Sequence, residues 1–372
     1  MKPLTILVLP GWYPTSREPL AGPFVRDHAR AAAEYGHNVV VLVDDGPRRG
    51  VRGLFELPES RDGKLRIVRF DHWPHTGRVA HLPAVLALAR KLAREGTPVD
   101  VIHAHIHWMG WPAVFAGAIL RRPVVISENS TEWPDHAISS RALWQARVAF
   151  RRAALVCPVN ERLQRAIESY GLHPRFRIVP NTVDVGTFHP ASGPAPATAT
   201  RLINVALHVE RKGLDLLLTA FSKLLGERPA LTLDLVGEGP STPALKSLAA
   251  ELGATGSVRF RGPLTAPEIA DALRDSHVFA FASHSENMPL AVIEALCCGL
   301  PVAATNVGGI PEAVGADGAL TLAGDSDTLA AAIRDVLARY SSFDRRKIAA
   351  RAAARFSFEA VGGAWDEIYR SL

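Results

Sequence analysis

Two doubly wound α/β domains, each on a largely parallel sheet and facing each other across a cleft, are what this sequence predicts. Three observations carry that reading. Short β-branched runs alternate with amphipathic helical stretches along the whole chain. The runs are apolar almost throughout rather than at every second residue, as parallel strands covered on both faces are. The alternation pauses at one Pro/Ala-rich stretch, HPASGPAPATATR, from His189 to Arg201, and then restarts. With 372 residues there is chain enough for two cores. The expected division is a first domain over 1–188, a linker over 189–200, a second domain over 201–355, and a last helix over 356–372 that packs back towards the first.

The opening MKPLTILVLPGWYP has the look of a short signal peptide. Pro10 interrupts its apolar run, however, and no small-x-small cleavage site follows, so LTILVL is read as a first buried strand. A Gly/Pro-rich loop, the helix FVRDHARAAAEYGH and the strand NVVVLV come next. VDVIHAH, PVVIS and ALVCPV are strands separated by Ala/Arg-rich helical segments. Beyond the linker, RLINVAL, LTLDLVG, SVRFRG, HVFAFAS, PVAATN and GALTLA repeat the scheme, and SFEAVGGAWDEIY closes the chain as a helix with one apolar face. No run of about 18 uncharged apolar residues is present, so no segment is expected to span a membrane.

Composition narrows the function classes. A net charge of +5, from 42 basic and 37 acidic residues, is too diluted to point to nucleic acid. Arginine greatly outnumbers lysine, which leaves room for a basic face towards anionic lipid or phosphate. Cys157, Cys297 and Cys298 are too few for a disulfide framework and read as small buried hydrophobes in a reducing, cytoplasmic setting. The first strand is not followed by G-x-G-x-x-G, which argues against a dinucleotide dehydrogenase.

The stretch SHSENMPLAVIEALCCGLPVAATNVGGIPEAV holds the sharpest candidate site. Pro289 suits the first turn of a helix, with Asn287 or Met288 near the cap and Gly299 and Pro301 marking the stop. Glu286 then precedes the helix and Glu294 lies more than a turn inside it, about 10 Å away at a rise of ~1.5 Å per residue. Between them stand free backbone N–H groups and the positive end of the helix, a place for a diphosphate. A ligand with hydroxyls at both ends and a diphosphate between them is a nucleotide sugar. Taken as spacing alone, the pair also fits a solvated loop residue and an exposed helix position.

His103, His105 and His107 in VIHAHIHWMG alternate along a strand end. Such spacing can hold a metal, but no Asp or Cys nearby completes a set, so a cleft-lining strand end with His107 in the following loop is expected. The helix RALWQARVAFRRAAL carries Arg141, Arg147, Arg151 and Arg152 beside Trp144 and Phe150. It reads either as a packed helix with a solvated basic face or as one lying on an anionic membrane.

Taken together, several motifs resemble the retaining glycosyltransferases of family four, of the bacterial cell-surface polysaccharide type. The Glu286–Glu294 stretch resembles that family's Glu, seven residues, Glu-Ala signature, followed by Cys-Gly, Pro-Val and Gly-Gly before Pro-Glu. RIVPNTVDVGTFHP, ERKGLDLLLTAFSKL, LDLVGEGP, VRFRGPL and LPGWYPTSREPLAGPFVRDHARAAAEYGHNVVVL resemble its other motifs, so nearly the whole chain is covered. The resemblance implies the GT-B fold, two Rossmann-like domains facing a cleft. It implies that Glu294 binds ribose hydroxyls, that Glu286 faces the transferred sugar, and that Asn287, Met288, Pro289 and Leu290 hold the diphosphate. It implies a diphosphate partner in Lys212 with help from Arg211 or His208, a base site near Gly237, Pro263 and Leu264, and a place for Gly22 and Phe24 beside the diphosphate or acceptor. His105, Glu128, Ser130 and Asn181 fall on the acceptor side.

Three departures stand out. Pro289 has no N–H where many members carry glycine, the family's companion arginine falls on Leu207 or Ala206, and Asn129 stands at the position of a histidine beside the sugar. An amide orients a hydroxyl but shuttles no proton at neutral pH. Either the acceptor proton passes to the donor phosphate, or activity is weak or absent.

The expected protein is therefore a cytoplasmic hexosyltransferase of polysaccharide biosynthesis that uses a UDP- or GDP-linked sugar, with no cofactor and no metal. Lys212 and the helix start take the leaving diphosphate, and domain closure keeps water out. The acceptor is a glycan or lipid-linked intermediate, with peripheral contact at the inner membrane face left open and no nucleic acid partner. A non-catalytic nucleotide-sugar-binding relative and a transferase for a small soluble acceptor remain the alternatives.

Overall fold

The computed structural model describes residues 2–14, 21–47, 57–72, 80–193, 198 and 200–372. The chain divides into two compact units, Met1–Thr182 with Phe358–Leu372, and Val183–Ser357. The division falls ahead of the Pro/Ala stretch expected to mark it. The reason is local. Val183 N–H donates to Phe356 O at 2.9 Å, the Arg274 guanidinium donates to Thr187 O at 3.1 Å, and Phe188 is buried, so 183–188 is docked on the second unit.

The first unit runs β1 (Thr5–Leu9), α1 (Pro23–Glu34), β2 (Asn38–Pro47), β3 (Glu59–Asp62), β4 (Leu65–His72), α2 (His81–Arg94), β5 (Val101–His105), α3 (His107–Leu120), β6 (Val124–Glu128), α4 (Ser140–Arg152), β7 (Leu155–Pro158) and α5 (Glu161–Glu168). Among the described residues the strands form one sheet in the order β3-β4-β2-β1-β5-β6-β7. All pairings in it are parallel except β3 with β4. β1, β5, β6 and β7 are buried along their whole length, which is why their sequences carry no alternation. The β3–β4 hairpin was not legible in the sequence. β3 is the exposed edge strand ESRD, without an apolar face, and its tight turn at Gly63-Lys64 was the available cue.

The second unit runs β8 (Arg201–Val205), α6 (Leu214–Glu227), β9 (Thr232–Val236), α7 (Thr242–Glu251), β10 (Val258–Gly262), α8 (Ala266–Arg274), β11 (Val278–Phe281), α9 (Leu290–Cys297), β12 (Val302–Thr305), α10 (Ile310–Val314), β13 (Gly318–Thr321), α11 (Ser326–Ala338) and α12 (Arg345–Phe356). Its sheet is parallel in the order β10-β9-β8-β11-β12-β13. Leu217, Leu218, Phe221, Leu235, Ile333 and Val336 sit at the centre of its core.

α13 (Phe358–Arg370) completes the first unit. A Cβ at Gly362 would stand 2.5 Å from Ala31 O, so α13 meets α1 backbone to backbone. Its Trp365 and Ile368 join the core formed by Ile6, Val8, Val25 and Val41.

Candidate active site

In an open parallel sheet, ligands bind beyond the carboxyl ends of the strands, where the strand order reverses. In the second unit that point lies between β8 and β11, and the loops leaving these strands lie side by side. Gly213 makes the approach possible. Its φ is +59°, and a Cβ there would stand 2.3 Å from Ala282 O. His284 N–H and Ser283 Oγ both donate to Arg211 O, at 2.9 and 3.0 Å, and tie the loops together.

This junction brings charges into one place. Lys212 Nζ forms an ion pair with Glu286 Oε1, and Ser283 Oγ donates to the same oxygen at 2.9 Å. Arg211 Nη1 lies 3.9 Å from Glu286 Oε2 and donates to Ser285 O at 2.8 Å. Glu286 is only 8% exposed, so it is not the solvated loop residue that its spacing also allowed. Lys212 Nζ also sits 5.5 Å above the Phe281 ring. The loop after β12 closes the back. Gly308, at φ +54°, has room for no Cβ, which would stand 2.0 Å from Glu286 O, and Gly309 N–H donates to Asn287 O.

α9 starts one residue later than its sequence suggests. Pro289 is the cap residue, at φ −69° and ψ 124°, rather than part of the first turn. No side chain caps the helix, so its first N–H groups receive no side-chain acceptor. Asn287, Met288 and Pro289 are buried, while Leu290 and Glu294 are half-buried on the helix. Gly237 and Gly262 bridge β9 to β10 at the same end of the sheet, which sets Pro263 and Leu264 beside Gly237. Gly22 lies in the first unit, as the residue preceding α1.

The first unit's switch point lies between β1 and β5, and its polar groups are mostly enclosed. The Trp365 indole N–H donates to His28 Nδ1 at 3.0 Å, so His28 Nε2 carries the proton it presents to Asn181 Oδ1 at 3.3 Å. The same oxygen accepts from Asn129 Nδ2 at 2.8 Å. His103 bonds the Tyr369 hydroxyl at 2.7 Å and Ser127 Oγ at 2.8 Å. His105 stacks on His103 with ring centres 4.4 Å apart. It is 1% exposed, and neither ring nitrogen finds a hydrogen-bond partner among the described residues. Burial pushes His28 down to about 4, His103 down to about 3 and His105 well below the usual imidazole range.

His107 corrects the expected loop placement, because it is the first residue of α3. Ile106 precedes it at φ +73°, an outlier for a β-branched residue. Glu128 holds this turn. Its Oε2 accepts from His107 N at 2.8 Å and lies 3.1 Å from His107 Nδ1, while Oε1 accepts from Asn129 N and Ser130 N at 3.0 and 2.9 Å. Fully buried and occupied on both oxygens, Glu128 is a backbone cap rather than an acceptor-facing group. His105 is likewise enclosed rather than lining an open surface. Among the described residues no group of three or more His, Cys, Asp or Glu is arranged to hold a metal ion.

Unforeseen was a cavity of about 310 Å³ by the end of β1 and the last residues of β2, lined by Pro10, Trp12, Asp44, His81 and Trp108 among others. Trp12 and Trp108 meet edge to face in its wall, 4.7 Å apart. Also missed were Ser283, whose hydroxyl orients Glu286, and His28, which looks like any helix residue in FVRDHAR.

Residues 21–187 match the family model described as Glycosyltransferase Family 4, and residues 199–339 match the one described as Glycosyl transferases group 1. A D-inositol 3-phosphate glycosyltransferase of Thermobispora bispora is 30% identical, across 93% of this chain and 88% of that protein. The chain belongs to glycosyltransferase family 4. A putative colanic acid biosynthesis glycosyltransferase of Escherichia coli is 29% identical over 80% of this chain and 78% of its own. Among solved structures, Anabaena HepE in complex with UDP superposes with a TM-score of 0.77 at 20% identity, covering 99% of this chain and 100% of that one. Sucrose-phosphate synthase from Thermosynechococcus elongatus gives 0.75 at 20% identity over 99% and 98%. The protein is thus a glycosyltransferase with the GT-B fold.

Proposed function

We propose that this glycosyltransferase moves a hexose from a UDP- or GDP-linked donor to an acceptor hydroxyl with retention of configuration, without a metal or cofactor. The observation that carries the reading is the Lys212–Glu286 pair, flanked by Arg211, at the switch point in front of the uncapped start of α9. In this reading the donor diphosphate takes Lys212 and Arg211 as counter-charges, and the N–H groups of Leu290 and Ala291 bind its oxygens in place of water. The charge that grows on the leaving diphosphate then meets fixed partners. Glu286, released from Lys212, accepts hydrogen bonds from the hydroxyls of the sugar, and Glu294 accepts those of the ribose. Support for a uridine donor comes from HepE, solved with UDP, with UDP and glucose, and with UDP-glucose.

On the acceptor side Asn129 orients a hydroxyl and moves no proton, so the acceptor proton passes to the departing phosphate oxygen. The acceptor is a lipid-linked or cell-surface glycan intermediate, and the protein works from the cytoplasm at the inner face of a membrane. The colanic acid name of one relative favours this class. The D-inositol 3-phosphate name of another favours a second reading, a small soluble acceptor.

A thermal-shift panel of UDP, GDP, ADP and their common sugar conjugates tests the donor site in wild type and Glu294→Ala. At about 100 times its dissociation constant a ligand adds roughly 2.7 kcal/mol to the folded state. One base is expected to shift wild type and not the variant. No shift with any nucleotide would sink the reading.

A further inference from the structure

α3 is unusual for a helix at the surface of its unit. HWMGWPAVFAGAIL contains no Asp, Glu, Lys or Arg. Its buried side is fixed by Gly110, where a Cβ would press on Ile126 and Ala149, and by Gly117, where it would press on Val124. The opposite side therefore presents Trp111, Phe115 and Ile119, four residues apart on one stripe. The Trp111 and Phe115 rings lie 4.7 Å apart, and Ile119 is 59% exposed. Alongside, α4 exposes Trp144 at 56%. Trp111 and Phe115 are half-buried, with the Trp111 indole nitrogen enclosed, so the open apolar surface here is Ile119 and Trp144.

The charges that follow α3 and those carried by α4 are of one sign. Arg121 and Arg122 follow α3, and Arg141, Arg147, Arg151 and Arg152 lie on α4, all of them exposed. Across 107–127 and 137–160 the chain contains no Asp or Glu. Arginines framing exposed tryptophan and aliphatic side chains complement a surface that is anionic outside and apolar beneath.

We infer that the outer face of α3 and α4 docks on an anionic phospholipid bilayer, with Ile119 and Trp144 entering the headgroup boundary and the six arginines held by lipid phosphates. A second copy of this chain would bring six more arginines to the same face, so like-charge repulsion opposes pairing of two copies through it. The inference rests on the reading of a membrane-borne acceptor. It names the surface that delivers the enzyme there.

Vesicle co-sedimentation of the full chain tests it, with phosphatidylcholine alone and with a quarter phosphatidylglycerol. Binding is expected only to the anionic vesicles and is expected to weaken with added salt. Each basic residue adds about fivefold to such an association, so Arg147→Gln with Arg151→Gln and Arg152→Gln should lower it about 100-fold. Ile119→Ser with Trp144→Ser should lower it at constant charge. Every variant is expected to keep the wild-type nucleotide thermal shift, which separates failure of this surface from failure of the donor site. Equal binding to neutral vesicles, binding indifferent to these residues, or no binding to either vesicle would overturn the proposal. So would a dimer in sedimentation velocity that Trp144→Ser abolishes.

Discussion

The carboxyl ends of the two sheets are built from the same strand order logic and are used in opposite ways. In the second unit the loops after β8 and β11 gather Arg211, Lys212 and Glu286, charged groups that meet one another, the Ser283 hydroxyl and the backbone. In the first unit the corresponding ends are occupied by neutral imidazoles, indoles and amides, and their one deeply buried carboxylate, Glu128, is consumed by backbone N–H groups. The second unit can exchange an internal ion pair for a ligand's charge at little net desolvation. The first offers a fixed shape and hydrogen bonds from enclosed groups. Under the proposed function, these two interiors divide electrostatic work on the donor from positioning of the acceptor.

The largest effect should come from the charged side. Lys212→Ala removes the counter-charge and leaves Glu286 buried beside Ser283 without its cation. Transfer, measured as kcat/KM on the donor that the thermal-shift panel identifies, is expected to fall about 10²–10³-fold. A loss under about threefold would mean that the diphosphate is held elsewhere, and the contrast between the units would lose its functional content.

Next in size is Glu128→Ala, a test of the structural use of charge in the first unit. Three backbone N–H groups lose their acceptor inside a fully buried turn that already carries Ile106 at positive φ. Urea unfolding should show a loss of about 3 kcal/mol or more. If stability barely changes and acceptor KM rises instead, Glu128 belongs to the substrate after all.

Acid titration probes the neutral cluster. The folded-state pKa of His28, about 4, and of His103, about 3, lie below the unfolded value of 6.5. Between those limits the unfolded chain binds more protons, so stability is full above pH 6.5 and falls as the pH drops, by at most ~1.4 kcal/mol per unit for each histidine. His208 and His277 in the second unit are depressed by partial burial and lean the same way. His28→Gln should flatten the pH dependence of the urea midpoint between pH 6 and 4. An unchanged slope would place the acid sensitivity in groups other than His28, His103 and the histidines of the second unit among them.

These contrasts were unevenly legible in the amino-acid sequence. β1, β5, β9, β11 and β12 announce themselves because buried parallel strands are apolar runs. The Glu286–Lys212 meeting was foreseeable only through motif resemblance, since 74 residues separate the two and no local pattern encodes the pairing. The role of Glu128 was hidden for the same reason. Its partner turn at Ile106 and His107 lies on another strand, and a carboxylate that caps a helix from outside its own segment leaves no trace at the helix start. The hairpin of β3 and β4 escaped because an exposed charged edge has no periodicity to read.

The smallest expected effect bears on how the second unit manages without the arginine that the family resemblance implies. Leu207 stands where the resemblance places an arginine, and it is 52% exposed, so a longer side chain meets no packing obstacle there. Arg211, from the other end of the same loop, already reaches Ser285 O and the edge of Glu286. Leu207→Arg adds one charge-assisted contact near the diphosphate, and nucleotide affinity measured by calorimetry should rise about fivefold, roughly 1 kcal/mol. The rise should be larger in an Arg211→Ala background if the two arginines serve the same phosphate, because a contact gains most where no competing donor occupies the oxygen. Equal gains in both backgrounds would show that Arg211 is committed to the loop and that the second unit holds its donor with Lys212 alone.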